Sequence, residues 1–356
     1  MKEKRILFTG GGTAGHVIVN LALIPEFKEK GWQVDYIGSY DGIENDLIQL
    51  LPGVSYHAIS TGKLRRYMSI ENFKDPFKVL KGIFQAWRII GKKKPQVIFS
   101  KGGFVSVPVI IAAKLRGVPT VIHESDYTPG LANKLAIPFA KNVLTTFKET
   151  AEQLNKQKVN YVGAVVRDEL FTGDVTEGLS LTQLTNEKPI ILIIGGSSGS
   201  QRLNQIVRDN LDELLKDYQI IHICGENNID QSMNKTGYAQ FGYVNDELKH
   251  LFKVADFVIS RAGSNAIFEF LSLKIPMLLI PLPLSASRGD QIVNAKSFKK
   301  NGYAHVLRDE EMTVDSFLEA VNALVTGKDE LLEAMSHYQS SRSKENVIQT
   351  IIDVSK

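Results

Sequence analysis

The sequence predicts an α/β protein of two Rossmann-like domains whose parallel sheets face a central cleft. Three observations predict it. Short apolar, β-branched runs alternate with helix-length segments, the pattern of parallel strands covered by helices. That alternation starts twice, each time as strand, glycine turn and helix. The 356 residues of the chain also exceed what one hydrophobic core ordinarily organises.

In the first half, Ile6–Thr9 reads as a strand, followed by glycines and a helix from about Val17 to Lys30. Gln33–Ile37, Gln96–Ser100, Thr120–His123 and Asn142–Thr146 continue the strands, with a helix over Val105–Leu115. The second half opens on the buried-strand pattern Pro189–Ile194, then Gly195–Ser200, then a helix through Leu203, Ile206, Val207, Leu211 and Leu214. Tyr218–Cys224, Asp256–Ser260 and Met277–Ile280 are further strands. Thr172–Gly178 is polar and loop-like, and the boundary falls near Tyr161–Val166, giving domains of residues 1–163 and 164–356. The helical end from about Asp329 reads either as a plain terminal helix or as one crossing back onto the first domain. In sheets of this kind ligands bind where strands end and helix N-termini point, so both glycine turns belong at the cleft.

Composition excludes several classes. Hydrophobic residues make up 43% and charged residues 23% of the chain, which suits a folded globular protein. A net charge of +3 is too small to argue for nucleic acid. Cys224 is the only cysteine, so an intramolecular disulfide and a cysteine metal cluster are excluded and a reducing compartment is expected. The apolar run Ile6–Phe8 is too short for a signal peptide. No uninterrupted apolar stretch approaches the ~20 residues that span a bilayer, so any membrane contact is expected to be peripheral.

The first glycine turn, Gly10–Gly15, fits G-x-G-x-x-G. A dinucleotide site also needs an acidic residue at the tip of the second strand. Here that strand ends in Gly38-Ser39, with Asp35 inside it and Asp41 beyond it. The turn is followed at once by His16, which reads either as a helix-start histidine bonded to a loop carbonyl or as a general base. A base suits a side chain with an unperturbed pKa of roughly 6.5, and the helix N-terminus disfavours its cation.

In the second half Ser260–Phe270 is the most informative stretch. Gly263 allows close backbone approach, Ser264 is expected to cap the following helix, and its N–H groups suit a pyrophosphate. Glu269, just over one turn in, reads as a surface charge or as a carboxylate for ribose hydroxyls. Gln291 and Asn294 lie one turn apart and can face one ligand. Arg167, past the boundary, reads as a domain-crossing salt bridge or as a clamp on a diphosphate leaving group. No carboxylate pair or His/Asp cluster has metal-like spacing, so no cofactor is expected, with Mg²⁺ assistance left open.

Asp75-Pro76 is expected to be a helix N-cap and first-turn proline. Beyond it Phe77, Leu80, Phe84 and Trp87 follow at helical spacing, while Lys74, Lys78, Lys81 and Arg88 line another face. Lys63, Arg65 and Arg66 precede the segment. Two readings stand: a buried apolar face with a wet charged one, or a surface for anionic lipid.

Taken together these motifs resemble the MurG family, peptidoglycan UDP-N-acetylglucosamine:lipid I N-acetylglucosaminyltransferases of the GT-B architecture. The resemblance covers essentially the whole chain. It rests on Gly10–His16 (GGGTAGH), Ser100–Pro108 (SKGGFVSVP), His123–Ser125, Gly130–Lys134 (GLANK), Gly195–Ser200, Ser260–Glu269 and Gly289–Ala295 (GDQIVNA). It implies an inverting transfer of N-acetylglucosamine from UDP-N-acetylglucosamine to the C4 hydroxyl of N-acetylmuramate in lipid I, giving lipid II. It also implies a peripheral enzyme on an anionic membrane surface, at the cytoplasmic face, with no nucleic acid partner. The first domain would face acceptor and membrane, and the second would bind the donor. Thr13, Gly15 and His16 would face the reacting sugar, with Asn133 supporting that loop. Glu269 would hold the ribose, and Ser197 with Ser264, Asn265, Ala266, Ile267 and Phe268 the diphosphate. Val244 would meet uracil by its backbone, and Arg167 and Gln291 would complete the site, Gln291 near the sugar. Phe77, Leu80, Phe84 and Trp87, with Lys78, Lys81 and Arg88, would meet the membrane. Many members read H-E-Q-N where this chain has His123-Glu124-Ser125-Asp126, and a second Gly where it has Ala14, so no donor contact is carried to Asp126. A GT-B transferase with another lipid or small-molecule acceptor, a UDP-sugar epimerase, a dinucleotide oxidoreductase and a nucleotide-sugar sensor remain alternatives.

Overall fold

Runs that are apolar on both faces become the inner strands of two parallel sheets. The computed structural model describes residues 3–62, 71–154, 157–196, 199–338 and 342–356, with residues 71–74 described in backbone only. The chain divides into one unit of residues 1–165 and 341–356 and a second of residues 166–340.

In the first unit the strands are β1 (Arg5–Thr9), β2 (Gln33–Ser39), β3 (Val54–Ile59), β4 (Val97–Ser100), β5 (Thr120–Glu124), β6 (Asn142–Thr145) and β7 (Val159–Tyr161). They lie in the order β3-β2-β1-β4-β5-β6-β7, all parallel. The helices between them are α1 (Ile18–Glu29), α2 (Ile43–Gln49), α3 (Glu71–Lys93), α4 (Ser106–Leu115), α5 (Leu131–Ala136) and α6 (Lys148–Gln153). β4 is buried at all four positions, as a strand covered on both faces must be. Phe8 meets Phe27 and Phe99 edge-on at 5.8 and 5.7 Å, at the centre of the core on one face.

In the second unit α7 (Val175–Thr182) precedes β8 (Ile190–Ile194), whose Ile-Ile-Leu-Ile-Ile run is the centre of the sheet. Next come α8 (Gln201–Asp209), α9 (Leu211–Asp217), β9 (Gln219–Ile223), β10 (Tyr238–Phe241), α10 (Leu248–Val254) and β11 (Phe257–Ser260). The unit closes with α11 (Ser264–Leu273), β12 (Met277–Leu279), α12 (Asp290–Lys300), β13 (Ala304–Val306), α13 (Val314–Thr326) and α14 (Lys328–Ser336). Its sheet runs β10-β9-β8-β11-β12-β13, again all parallel. Side chains cap where the sequence supplies them: Asp174 accepts from Glu177 N–H, and Thr313 and Ser316 form a capping box.

The C-terminal segment corrects the expectation of one helix from Asp329. α14 stays in the second unit, with Leu331 and Met335 buried. A separate helix, α15 (Ser343–Val354), belongs to the first unit and puts Val347, Ile348 and Ile351 into its core. Lys344 pairs with Glu26 of α1 at 2.7 Å.

α3 corrects a second expectation. Helix already runs from Glu71, so Asp75 is not its N-cap and Pro76 sits inside. Pro76 is the sixth residue of the helix, past the first turn whose N–H groups lack a helical acceptor, so its missing N–H costs the helix one backbone bond.

In each sheet the strand order reverses beside the first strand of the unit, between β1 and β4 and between β8 and β11. Those reversals are where an open parallel sheet leaves room for a ligand, and the glycine turns come directly after β1, β4, β8 and β11.

Candidate functional site

The turn after β1 is held on every side. Tyr36 of β2 donates its hydroxyl to Gly10 O at 2.7 Å, and Asn20 Nδ2 donates to that hydroxyl at 3.0 Å. Gly11 N–H reaches Gly102 O, in the turn after β4, at 3.3 Å. Gly12 N–H donates to Glu44 Oε2 at 3.0 Å. Gly12 takes φ +85°, a left-handed conformation that suits glycine, and Gly103 lies so close to Gly11 O that a side chain there would collide.

Thr13 then begins a single 3₁₀ turn, Ala14–His16, ahead of α1. His16 Nδ1 lies 3.1 Å from Gly11 O and 3.0 Å from Thr13 Oγ1. A carbonyl only accepts, so the bond to Gly11 O requires the proton on Nδ1 and leaves the lone pair of a neutral ring on Nε2. That tautomer is the one a general base needs.

Beneath this turn lies a buried polar floor that sequence reasoning grasped only at Asn133. Asn133 Nδ2 donates to Glu124 Oε2 at 2.9 Å, and Glu124 also accepts from Asp126 N–H and Gly130 N–H, each at 2.9 Å. Burial, reinforced by Asp126, pushes the Glu124 carboxyl up from its ordinary value. Lys101, on the turn after β4, is buried against Ser125 Oγ, and burial lowers its pKa. Burial also holds His123 well below the usual histidine range, so it is neutral. Asn133 therefore shapes the loop from below.

In the second unit the turn after β11 leads into α11, whose N-cap is Gly263. Ser264 is the first helical residue, so it cannot cap the helix as expected. The helix offers no acceptor for the N–H groups of Ser264, Asn265 and Ala266. Ile267 N–H already bonds Gly263 O at 3.1 Å. The side chains of Ile267 and Phe268 are buried, and Phe268 meets Phe298 edge-on at 5.0 Å. Helical period turns both side chains into the core, which leaves only their backbone for the expected diphosphate contact.

Glu269 is buried, and Arg167 Nε donates to its Oε1 at 3.1 Å. Burial raises the Glu269 pKa, and Arg167 opposes that rise. This ion pair lies within one unit, so the domain-crossing reading of Arg167 is replaced. Gln291 Oε1 accepts from Ala262 N–H at 3.2 Å and Leu282 N–H at 3.1 Å. Asn294 is fully buried and donates to Ala262 O at 3.2 Å. Asn294 thus clamps the turn from behind instead of facing a ligand, because its helix carries it inward. Arg261, unmarked in the sequence reading, joins two turns: it donates to Ser200 Oγ at 2.6 Å and to Asp309 Oδ1 at 2.5 Å. Val244 is half-buried in the loop after β10. Ser197 lies outside the described residues. Among the described residues no group of three or more His, Cys, Asp or Glu could hold a metal ion.

On α3 the structure removes the first of the two readings for this stripe. Phe77, Leu80, Phe84 and Trp87 are 74, 62, 58 and 37% exposed, so this stripe is not a core face. The buried face is instead Gly82, Ala86 and Ile90, packed with Val105, Val109, Ala112 and Ala113 of the α4 region. Phe84 and Trp87 stack at 6.3 Å, Arg88 lies over Phe84 and Arg116 over Trp87. Lys78 and Lys81 are exposed beside them. Lys63, Arg65 and Arg66 lie outside the described residues. No described helix is long and apolar enough to cross a membrane.

Known proteins share this design. Residues 6–145 match the glycosyltransferase family 28 N-terminal domain and residues 190–351 its C-terminal domain. A protein of Oceanobacillus iheyensis is 62% identical over 99% of both chains, and one of Geobacillus kaustophilus is 55% identical over 99% of both. Each is named as a UDP-N-acetylglucosamine–N-acetylmuramyl-(pentapeptide) pyrophosphoryl-undecaprenol N-acetylglucosamine transferase. In fold the chain is similar to Acinetobacter baumannii MurG, with a TM-score of 0.75 at 24% identity over 98% of this chain and 99% of that one.

Proposed function

The chain belongs to the glycosyltransferase 28 family, and on that premise we propose that it moves N-acetylglucosamine from UDP-N-acetylglucosamine to the C4 hydroxyl of N-acetylmuramate in undecaprenyl-linked lipid I, forming lipid II. The 62% identity over 99% of both chains carries this reading. The site residues fit the reaction. His16 Nε2 takes the proton of the acceptor hydroxyl as its oxygen attacks C1 of the donor sugar. The bond from C1 to UDP breaks on the opposite face, which inverts that carbon. Charge developing on UDP is met by the N-terminal turn of α11 and by the guanidinium of Arg167. Glu269 holds the ribose hydroxyls, and the loop at Val244 meets uracil. Thr13 and Gly15 shape the turn that presents His16.

No cofactor is called for; turnover after EDTA treatment, with and without added Mg²⁺, tests that point. The central test is UDP release from UDP-N-acetylglucosamine with and without a lipid I analogue, with the product weighed by mass spectrometry. Release that requires the acceptor and a product heavier by one N-acetylhexosamine support the proposal. Donor conversion without acceptor would make the protein an epimerase or hydrolase.

The exposed stripe of α3 supports a peripheral enzyme on an anionic membrane at the cytoplasmic face, where its aromatic side chains enter the interface and Lys78, Lys81 and Arg88 meet phosphates. Phe84→Ser/Trp87→Ser should lose roughly tenfold or more in binding to anionic vesicles, while turnover of a water-soluble acceptor stays unchanged. Equal binding by this variant would reject the surface.

A further inference from the structure

Glu44 is a fully buried carboxylate at the start of α2 that the reaction outlined above does not use. Its Oε1 accepts from Ser39 N–H at 2.9 Å and Ser39 Oγ at 2.6 Å, and its Oε2 accepts from Gly12 N–H at 3.0 Å. None of these donors is charged. Burying a carboxylate among neutral groups is costly unless the bonds it makes are specific. The surroundings are also cleared for it: a Cβ at Gly11, Gly38 or Gly42 would collide with the Glu44 side chain.

The group Glu44 holds gives the placement its meaning. Gly12 N–H and Gly11 C=O are the two ends of one planar peptide unit. Glu44 takes the N–H end, and His16 Nδ1 meets the C=O end at 3.1 Å. A carboxylate on the N–H polarises the amide and makes its oxygen a stronger acceptor. It also fixes the plane in which that oxygen lies. We propose that Glu44 is a positioning residue for the transfer, acting through the Gly11–Gly12 peptide to orient His16 and to strengthen the bond that keeps its lone pair on Nε2. This rests on the reading of His16 as the base.

A glutamine cannot replace it. Both carboxylate oxygens accept from N–H groups, so an amide would set its own NH₂ against one of them. The experiment compares wild type, Glu44→Gln, His16→Ala and the double variant in steady-state turnover of UDP-N-acetylglucosamine with a lipid I analogue. Glu44→Gln should lower kcat by roughly 10–100-fold, the range for loss of an outer-shell partner, with the KM for the donor within about twofold of wild type. The double variant should be no slower than His16→Ala alone, because Glu44 works through that ring. A double variant slower than His16→Ala by the full Glu44→Gln factor would overturn the proposal, as would a donor KM rising in step with the loss of kcat, or a kcat unchanged in Glu44→Gln. If Glu44→Gln does not fold, Glu44→Asp, one methylene short of reaching both partners, is judged by the same outcomes. His16→Ala turning over like wild type would instead remove the base assignment itself.

Discussion

The turn after β1 and the turn after β11 begin alike, each a glycine bend at the point where strand order reverses in a parallel sheet. Their outcomes differ. After β11 the chain enters α11 directly, so its first N–H groups have no acceptor within the helix, and in the proposed reaction that backbone meets the diphosphate. After β1 an extra 3₁₀ turn is inserted before α1, and the turn presents a side chain, His16. The supports differ to match. The second turn is clamped by amides, Gln291 and Asn294, that bond the backbone of Ala262. The first is held by a phenol and a carboxylate, Tyr36 and Glu44, that fix successive peptide planes. On the proposed reaction, one shape of turn would serve binding or proton transfer, depending on whether a helix or a 3₁₀ turn comes next in the chain.

The largest expected effect comes from breaking the first turn's role. His16→Ala should lower kcat by about 10²–10⁴-fold, the usual contribution of a general base. UDP affinity, measured by calorimetry, should not change, because the residues proposed to hold UDP belong to the second unit. Near-normal turnover would reduce the two turns to two binding loops.

The second turn is tested at Glu269. Glu269→Ala should weaken UDP binding by about 1.5–3 kcal/mol, roughly ten- to hundredfold, as expected for a lost bond to a charged group. It also leaves Arg167 only the exposed Glu169, 3.8 Å away, in place of its buried partner, so the melting temperature should fall. Burial raises the Glu269 pKa above its ordinary value near 4.5. In the proposed role Glu269 accepts from ribose hydroxyls as the ionised form, so affinity should begin to fall, as pH is lowered, while pH is still above 4.5. Stability has the opposite slope. The folded state holds this proton more tightly than the unfolded chain, so the stability Glu269 contributes is full below 4.5 and is lost as pH rises through the raised pKa. Glu269→Gln should flatten both curves, and parallel slopes in wild type would show that Glu269 does not control binding.

The contrast also separates what the sequence could say from what it could not. The alternation of strands and helices and both glycine turns were legible because each depends on residue type at a local spacing. Errors of one position were not avoidable: whether Ser264 is a cap or the first helical residue depends on where β11 releases the chain. Ile267 and Phe268 share a motif with ligand-facing residues, yet helical period buries them. On α3 the spacing of Phe77, Leu80, Phe84 and Trp87 is read correctly as one stripe, but small residues, Gly82 and Ala86, decide which stripe packs. Glu44 carries no local signal at all. A glutamate opening a short helix after glycine looks solvated, and only the approach of Gly11, Gly38 and Gly42 makes it buried. Long-range closure of this kind is fixed by packing between elements far apart in sequence.

The smallest effect tests the clamps behind the second turn. Asn294 is fully buried and donates to Ala262 O. Asn294→Ala removes that donor and leaves the carbonyl under-satisfied in the interior, at a cost of about 1–3 kcal/mol. Part of that cost should appear as a lower melting temperature. The rest should appear as a few-fold loss in UDP affinity, since Ala262 sets the start of α11 and hence where its N–H groups point. At saturating donor, kcat should stay close to wild type, because the first turn is untouched. That split distinguishes a backbone clamp from a sugar contact: a residue touching the reacting sugar would lower kcat as well. A fall in kcat at saturating donor would therefore move Asn294 from support of the turn into the transfer step, and the two turns would no longer divide binding from proton transfer.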